Sequence, residues 1–323
     1  MPYFSIKVPQ LYDKQERLDK YIASLPDGMN RSKLKSGVTQ ILINGKKSKL
    51  SSKVNGGDLI DIEWEDNIPE NIEPEDIPLD IIYEDDNVTV INKKQGMVTH
   101  PACGNWSGTL VNALLFHWGR AAIKQIKEGS EQKILEFRRP GIVHRLDKET
   151  SGIIITAKNR DTEEFLGTQF RNKTLRKEYI LIVKGRPPEV AGDIRTQIIR
   201  DPKERKRFKA VTDTDEGKYA RTIYHCISSY GNYTLVRVRL KTGRTHQIRV
   251  HMKYIGCPIV GDSIYNKVDP IFPDATLMLH SKLLEINIPG VEKPKTFITP
   301  TPERFLKLEQ KLKRMYNKKE LNT

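Results

Sequence analysis

An acidic segment divides the chain and limits how it can fold. Residues 66–86 contain nine Asp and Glu, no Lys or Arg, and three regularly spaced prolines. Proline removes backbone hydrogen-bond donors and favours extended structure in the residue before it, and like charges repel one another. We therefore predict a linker over residues 66–78, between a small domain at residues 1–65 and a larger domain at residues 79–323.

The rest of the chain is basic. Residues 1–65 have a net charge of +3, and residues 87–323 have 44 Lys and Arg against 24 Asp and Glu, a net charge of +20. Such a charge suits a polyanion such as RNA, although a solvated basic surface accounts for it equally well. Charge alone leaves both interpretations open.

Other features of the composition exclude several classes of protein. No run of 18 apolar residues is present, which excludes a transmembrane helix, and the first ten residues lack the apolar core of a secretion signal. The widely separated Cys103, Cys226 and Cys257 exclude a disulfide framework and a CxxC zinc site. We expect a protein of the reducing cytoplasm.

Hydrophobic periodicity predicts a mixture of helices and strands. In residues 1–65 we predict a helix at 17–24, a second helix from Asn30 or Arg31, a hairpin at Asn44-Gly45 and a strand at 59–64. Farther along, we predict strands at 88–91, 152–157, 179–183, 235–240 and 277–288, and helices at 109–118, 161–170, 246–255 and 301–316. Because the two types intermix without a regular βαβα alternation, we expect an α+β fold with a mostly antiparallel sheet.

Two polar clusters are candidates for chemistry. His144–Gly152 precedes an apolar strand, a common position for catalytic residues, although a charged turn is the plainer interpretation. Thr242–His251 contains two arginines and two histidines, and suits either an anion site at a helix start or a surface helix start. His246 and His251 lie five residues apart and do not share a helix face, so we expect no metal site.

Familiar cofactor and nucleophile motifs are missing from the chain. It contains no G-x-S-x-G elbow, no G-x-x-x-x-G-K-[ST] phosphate loop and no G-x-G-x-x-G dinucleotide loop. We therefore expect no cofactor, and a catalyst that works with side chains alone, including one carboxylate. Tyr179, on a predicted strand, is by its spacing a core tyrosine.

The clusters, taken in order, resemble the motifs of the RluA/RluD-type pseudouridine synthases. His144–Gly152, with the sequence HRLDKETSG, resembles the catalytic-aspartate motif of that family. The other matching segments are Lys93–Pro101, Arg176–Tyr179, Gly217–Thr222, Thr242–His251 and Gly261–Tyr265. Gln95 and Ser281 depart from the family pattern, which usually has proline and alanine at these positions.

The small domain resembles an RNA-binding domain first named for ribosomal protein S-four. The resemblance rests on Arg17–Tyr21, Arg31-Ser32, Ile43–Lys46 and Gly57-Asp58, with Thr39 in place of a usual glycine. It implies a small α/β RNA-binding module ahead of the catalytic domain. The candidate RNA-binding residues are Arg17, Arg31, Lys33, Lys35, Asn44 and Lys46.

The family resemblance implies isomerisation of uridine to pseudouridine in a central RNA-binding cleft. Asp147 would either attack the anomeric carbon or remove a sugar proton, and Tyr179 would stack on the flipped base, with proton removal from carbon five as a second role. We expect Arg249 to pair with Asp147 through two parallel hydrogen bonds, with Arg244 as the alternative. The candidate substrate-binding residues are His100, His144, Arg145, Thr150, Arg244 and His246.

The partner is therefore predicted to be RNA, either large-subunit ribosomal RNA or transfer RNA. We expect no membrane association and a monomer. Two other functions remain open: a non-catalytic RNA-binding protein, and an RNA hydrolase that uses His246 and His251.

Overall fold

The chain folds as two compact units, Met1–Glu70 and Asn71–Thr323. The structure is a computed structural model, and it describes residues 3–25, 29, 31, 34, 38–64, 71–102, 104–124, 141–202, 204, 206–212 and 214–320. Within these residues no helix is long and apolar enough to cross a bilayer.

The smaller unit is a four-stranded antiparallel sheet with a helix packed on it. Its elements are β1 (Tyr3–Lys7), α1 (Leu18–Ser24), β2 (Val38–Ile43), β3 (Lys46–Lys47) and β4 (Leu59–Trp64). The strand order is β1-β4-β2-β3. Leu18 and Ile22 of α1 are fully buried in one core with Ile60 and Ile62 of β4.

The Asn44-Gly45 hairpin is confirmed, since both residues have positive φ, 52° and 75°, as a tight two-residue turn requires. The predicted second helix, with Lys33 and Lys35, falls largely outside the described residues.

The larger unit is built on a ten-stranded mixed sheet. Its elements are β5 (Asn71–Ile72), β6 (Ile81–Glu84), β7 (Val88–Lys93), α2 (Leu110–His117), β8 (Ile123–Lys124), β9 (Ser151–Ala157), α3 (Arg160–Asn172), β10 (Arg176–Lys184), β11 (Ala191–Arg200), β12 (Phe208–Val211), β13 (Lys218–Tyr230), β14 (Tyr233–Leu240), α4 (Gln247–Tyr254), β15 (Leu279–Ile286), β16 (Lys295–Ile298) and α5 (Glu303–Glu320).

The order of the large sheet is β12-β11-β13-β14-β10-β15-β9-β7-β6, with β16 paired to β15. Among its described pairings only β9 with β15 is parallel. The predicted α+β fold with a mostly antiparallel sheet is confirmed. The sequence analysis missed β6, β11, β12, β13 and β16 of this sheet.

Two of the missed strands, β11 and β13, break the apolar alternation because they bury threonines. Thr196 and Thr222 are inside the sheet, and their hydroxyls bond the two ring nitrogens of the buried His251, at 3.0 and 2.8 Å. Polar residues on the inner face remove the period-two pattern from which strands are predicted.

The chain divides at Glu70, so residues 71–78 of the expected linker lie in the larger unit. Asn71 and Ile72 pair with β8. The backbone N–H of Glu75 donates to the Asn112 carbonyl, at 3.0 Å, and the Glu75 carboxylate accepts from the N–H of Gly108, at 3.0 Å. The Glu75 carboxylate therefore serves as a hydrogen-bond acceptor near the start of α2. Proline spacing and charge repulsion alone do not predict this contact.

Two elements hold the candidate motifs against the centre of the sheet. β10 is buried along most of its length, and α4 packs through Ile248 and Met252 into the same core as Leu181 and Val238. Both side chains are buried and anchor α4 in this core. The loop before β9 and the start of α4 therefore face one cleft.

Candidate active site

A cleft of about 540 Å³ brings the two polar clusters together. Among the described residues, its charged lining consists of seven cations and one carboxylate, that of Asp147. The cations are Arg145, Arg171, Lys173, Lys177, Lys241, Arg244 and Arg249. The volume is typical of a site for one small ligand, and the charge favours an anion.

Asp147 lies in a short loop that is held from below by a buried lysine. Lys93 is 1% exposed, and its ammonium donates to the carbonyls of Met97, Lys94 and Lys148, at 2.8, 3.0 and 3.3 Å. Burial lowers the pKa of Lys93 to about 8, against the attraction of Asp147 and Glu149. The bond to the Lys148 carbonyl ties the Asp147 loop to the segment that follows β7, which holds the other two acceptors.

The Arg249 guanidinium and the His246 ring face the Asp147 carboxylate without bonding it. Its Oδ2 lies 3.6 Å from Nη1 of Arg249 and 3.7 Å from Nε2 of His246, and its side chain is 21% exposed. Both distances exceed those of a good hydrogen bond. The carboxylate therefore has a positive environment and keeps lone pairs available for a substrate.

The expected pair of parallel hydrogen bonds between Arg249 and Asp147 is wrong. The Arg249 guanidinium makes that pair with Asp262, through Nε to Oδ2 at 2.8 Å and Nη2 to Oδ1 at 2.7 Å. Burial lowers the pKa of Arg249, but the bonds with Asp262 outweigh it and raise the pKa above its usual value. Asp262 takes up the planar fork, and only the remaining nitrogen points toward Asp147.

The start of α4 is fixed by further hydrogen bonds. The Gln247 side-chain oxygen accepts from the hydroxyl of Thr242, at 2.7 Å, and from the N–H of Arg244, at 3.0 Å. His246 has a positive φ of 56°, and its Nδ1 bonds the hydroxyl of Tyr265, at 2.8 Å. Burial lowers the pKa of His246 despite the nearby Asp147. The loop thus aims Nε2 of His246 at Asp147 from a rigid base.

Tyr179 lines the cleft from β10 and is only 6% exposed. Burial raises its pKa to about 12, although a hydrogen bond with Ser281 acts in the opposite direction. The phenol is therefore protonated at neutral pH, so Tyr179 presents a ring and a neutral hydroxyl.

The other substrate-binding candidates divide between the cleft and its surroundings. His144, Arg145, Thr150, Arg244 and His246 line the cleft. The Arg244 Nε donates to the Tyr219 carbonyl, at 2.9 Å, which separates it from Asp147. His100 lies outside the lining, and its Nδ1 donates to the Pro101 carbonyl, at 2.8 Å.

His144 meets the cleft as an uncharged ring. Its Nε2 accepts the backbone N–H of Ile155, at 3.0 Å, and its ring stacks on Phe170, with centroids 4.5 Å apart. Burial, together with the nearby Lys177, lowers the pKa of His144 to about 3. An ionic contact of this side chain with RNA is therefore disfavoured.

His251 does not face the cleft. It is fully buried between Thr196 and Thr222, and burial lowers its pKa to about 4. The hydrolase hypothesis needs His246 and His251 at one site, and the structure separates them.

In the smaller unit, the predicted RNA-binding residues differ in their exposure and in their bonds to other residues of the unit. Arg17 and Arg31 both pair with the buried Asp19, while about half of each arginine side chain stays exposed. The Asn44 amide bonds within the unit, to Asp58 and to the N–H of Leu59. Lys46 is exposed, and Lys33 and Lys35 lie outside the described residues.

Sequence reasoning missed the roles of Asp262 and Tyr265. Both belong to Gly261–Tyr265, a segment that resembles a family motif but for which the sequence predicts no contact. A signal was present, since a buried arginine predicted from α4 requires an acidic partner. Among the described residues, no three His, Cys, Asp or Glu side chains gather as metal ligands would.

Comparison with known proteins places the chain in a family. The RNA pseudouridylate synthase family matches residues 87–254, just over half of the chain and the part that carries the cleft. The protein belongs to this family of RNA-modifying isomerases. The predicted resemblance to pseudouridine synthases is therefore confirmed.

Individual relatives extend the similarity over both units. A ribosomal large subunit pseudouridine synthase D of Borreliella burgdorferi is 44% identical over 95% of this chain and 91% of its own length. One of the same name from Zymomonas mobilis is 37% identical over 78% of this chain and 77% of its own. The solved human RNA pseudouridylate synthase domain containing 4 has the same fold, with a TM-score of 0.54 and 24% identity over 72% of this chain and 92% of that one.

Proposed function

We propose that this isomerase converts uridines of large-subunit ribosomal RNA to pseudouridine, with Asp147 as the catalytic carboxylate. The observation that carries the proposal is a single carboxylate among seven cations in the described lining of one cleft. A cleft used only for binding RNA would gain nothing from a negative group at its centre, because that group repels phosphates.

The geometry suits a carboxylate whose oxygens remain available to a substrate. The Arg249 guanidinium and the His246 ring approach Asp147 only to 3.6 and 3.7 Å. Neither side chain donates a hydrogen bond to the carboxylate oxygens of Asp147. Asp147 can then attack the anomeric carbon of the ribose or remove a sugar proton, so that the glycosidic bond breaks and carbon five of the uracil attaches.

The target base must leave its RNA stack to reach this carboxylate, at a cost of a few kcal/mol. The Tyr179 ring, beside Asp147 in the cleft, supplies a stacking surface for the flipped uracil. Because burial raises the pKa of Tyr179 to about 12, stacking is favoured over removal of the carbon-five proton by a phenolate. Arg145, exposed at the rim, contacts the RNA backbone or fills the gap left by the base.

The ribosomal substrate is supported by the relatives and by the smaller unit. The names of the Borreliella and Zymomonas relatives specify the large ribosomal subunit. An RNA-binding module at residues 1–65 would raise the effective concentration of a large RNA at the cleft. We assign the protein to the cytoplasm as a monomer, with transfer RNA as the alternative substrate.

The test is to map pseudouridines with a carbodiimide adduct that stops reverse transcription. The purified chain is incubated separately with large-subunit ribosomal RNA and with transfer RNA, each compared with RNA treated with the Asp147→Asn variant. New stops in the ribosomal RNA alone support the proposal, and stops in transfer RNA alone move the substrate. RNA mass is measured alongside, because isomerisation leaves mass unchanged and hydrolysis does not.

A further inference from the structure

One cation in the cleft, Lys177, lies beside an aromatic ring and not beside an acidic side chain. Lys177 lies on β10 two residues before Tyr179, so both side chains emerge on the same face of the sheet and line the cleft. Among the described residues, no Asp or Glu makes an ion pair with it. Its neighbour Glu178 instead bonds Arg176, at 2.7 Å.

The surroundings of the Lys177 ammonium are largely apolar. The nitrogen lies 5.4 Å from the centroid of the Phe170 ring. Gly243 is also near, since a Cβ atom built on this glycine would lie 3.5 Å from the nitrogen. His144 stacks on the same Phe170 ring. Burial lowers the pKa of Lys177 to about 8. Holding an unpaired cation in such a place costs stability, which a ligand that completes the pair would recover.

We propose that Lys177 binds a backbone phosphate of the RNA strand next to the flipped uridine, with Phe170 as the apolar wall of this subsite. The inference rests on the proposed function for the identity of the strand. An unpaired ammonium needs an anion, and the anions of RNA are its phosphates, because uracil and ribose are neutral. The exposed cations Arg171 and Lys173 stand at the same end of the cleft and extend the positive path outward.

The location of Lys177 distinguishes it from the rim cations. It is partly buried and shares a strand face with Tyr179, whereas Arg145, Arg171 and Lys173 are exposed. Rim cations serve any RNA that approaches the surface. A recessed cation meets only a strand that has entered the cleft, so Lys177 contributes to the engaged complex.

The experiment compares Lys177→Met with Lys253→Met in the Asp147→Asn background, where no turnover takes place. Lys253 is exposed on α4, outside the cleft lining, so its replacement removes the same charge from the same unit. Binding of an oligouridylate is measured by anisotropy over a range of salt concentrations. We expect Lys177→Met to weaken binding about tenfold and to reduce the slope of log K against log salt by about 0.7, the value for one phosphate contact on a single strand. Lys253→Met should change neither.

The Tm of Lys177→Met distinguishes a role in binding from a role in stabilising the fold. Because methionine keeps the length of the side chain and removes an unpaired charge, Lys177→Met should leave the Tm unchanged or raise it. Lys177→Arg, which restores the charge, should recover most of the binding. Unchanged affinity and salt slope in Lys177→Met would overturn the proposal, as would a lowered Tm or a failure to fold.

Kinetics in the otherwise wild-type chain separate binding from chemistry. With the ribosomal substrate, Lys177→Met should raise the RNA concentration for half-saturation and leave the single-turnover rate at saturation nearly intact. A loss confined to the saturated rate would contradict the phosphate assignment. If the wild type modifies no ribosomal RNA, the proposed function fails, and the oligouridylate comparison still decides the role of Lys177.

Discussion

Two aspartates, one in each unit, lie beside arginine side chains but differ in how they are bonded. Asp19 in the smaller unit is fully buried, with Arg31 at 2.6 Å and Arg17 at 2.9 Å. Asp147 in the larger unit is 21% exposed, with the Arg249 guanidinium at 3.6 Å and the His246 ring at 3.7 Å. The first carboxylate has its oxygens occupied by hydrogen bonds, and the second has them available for a substrate.

The difference shows how about one ångström separates a structural ion pair from a reactive group. At 2.6–2.9 Å a guanidinium donates hydrogen bonds that fix a carboxylate and share its lone pairs. At 3.6 Å the charge still acts, because Coulomb attraction falls slowly with distance, but the hydrogen bond is lost. In the cleft this spacing is produced by Asp262, which holds the Arg249 fork away from Asp147.

The largest effect that the comparison predicts is that of Asp147→Asn. The substitution keeps the shape and removes the nucleophile or base, so single-turnover isomerisation should fall at least about a thousandfold. Because the side chain makes no close hydrogen bond with the described residues, the Tm should stay within a few degrees of the wild type. Tritium release from labelled uracil and filter binding of the same RNA measure the two effects. Residual activity above a few per cent would remove Asp147 from the mechanism.

Arg249→Lys should cost on the order of a hundredfold in the saturated single-turnover rate. Lysine keeps the charge, but it cannot bond Asp262 through a planar fork while directing a third nitrogen at Asp147. Asp262→Asn should give a loss of similar size, because it releases the same guanidinium. RNA affinity should change little, since other cations supply most phosphate contacts.

Arg244→Lys is the matched control for Arg249→Lys. Its guanidinium bonds the Tyr219 carbonyl and does not face Asp147, so the saturated rate should change less than threefold. A collapse of the rate in Arg244→Lys beside a near-normal Arg249→Lys would transfer the role to Arg244. Urea unfolding of each variant shows whether any loss of rate follows from a loss of folded protein.

The sequence predicts the parts of the fold in which the apolar pattern is clean. β9 and the helix α3 with its Asn159 cap follow directly from their residues. β11 and β13 escape prediction because the inward Thr196 and Thr222 satisfy His251, a contact between residues that are far apart in sequence. Buried polar networks of this kind carry no local periodicity.

The same limit applies to the site. The motifs bring Asp147, Tyr179 and Arg249 to attention, and the structure places all three on one cleft. The Arg249 guanidinium bonds Asp262, which lies in the loop after α4. The path of that loop is not specified by the spacing of residues along the chain. Charge patterns likewise identify Arg17 and Arg31 as cations without revealing that both face Asp19.

A smaller effect, on stability alone, is expected from Asp19→Asn. Loss of charged hydrogen bonds to Arg17 and Arg31 should lower the free energy of unfolding of the smaller unit by about 2 kcal/mol. The saturated single-turnover rate should stay unchanged, because the cleft belongs to the other unit. Hydrogen exchange, followed on peptides from each unit, measures the first effect. The exposed Asp13→Asn serves as control and should leave exchange unaltered, and faster exchange in the larger unit would contradict the assignment.

The pH dependence of that loss is the finest test of the comparison. Burial opposes ionisation of Asp19, but the bonds from Arg17 and Arg31 outweigh it and hold its pKa below the usual value of 3.8. A depressed folded pKa gives stability that is complete above the unfolded pKa and is lost as pH falls through the folded one. The difference in unfolding free energy between wild type and Asp19→Asn should therefore be constant from about pH 7 to pH 5 and shrink below about pH 4. Urea unfolding at each pH measures this difference, in which the carboxylates common to both proteins cancel. If the difference instead grows as the pH falls, Asp19 is protonated in the folded unit. Asp19 would then not be an ion-paired carboxylate, and the comparison with Asp147 would fail.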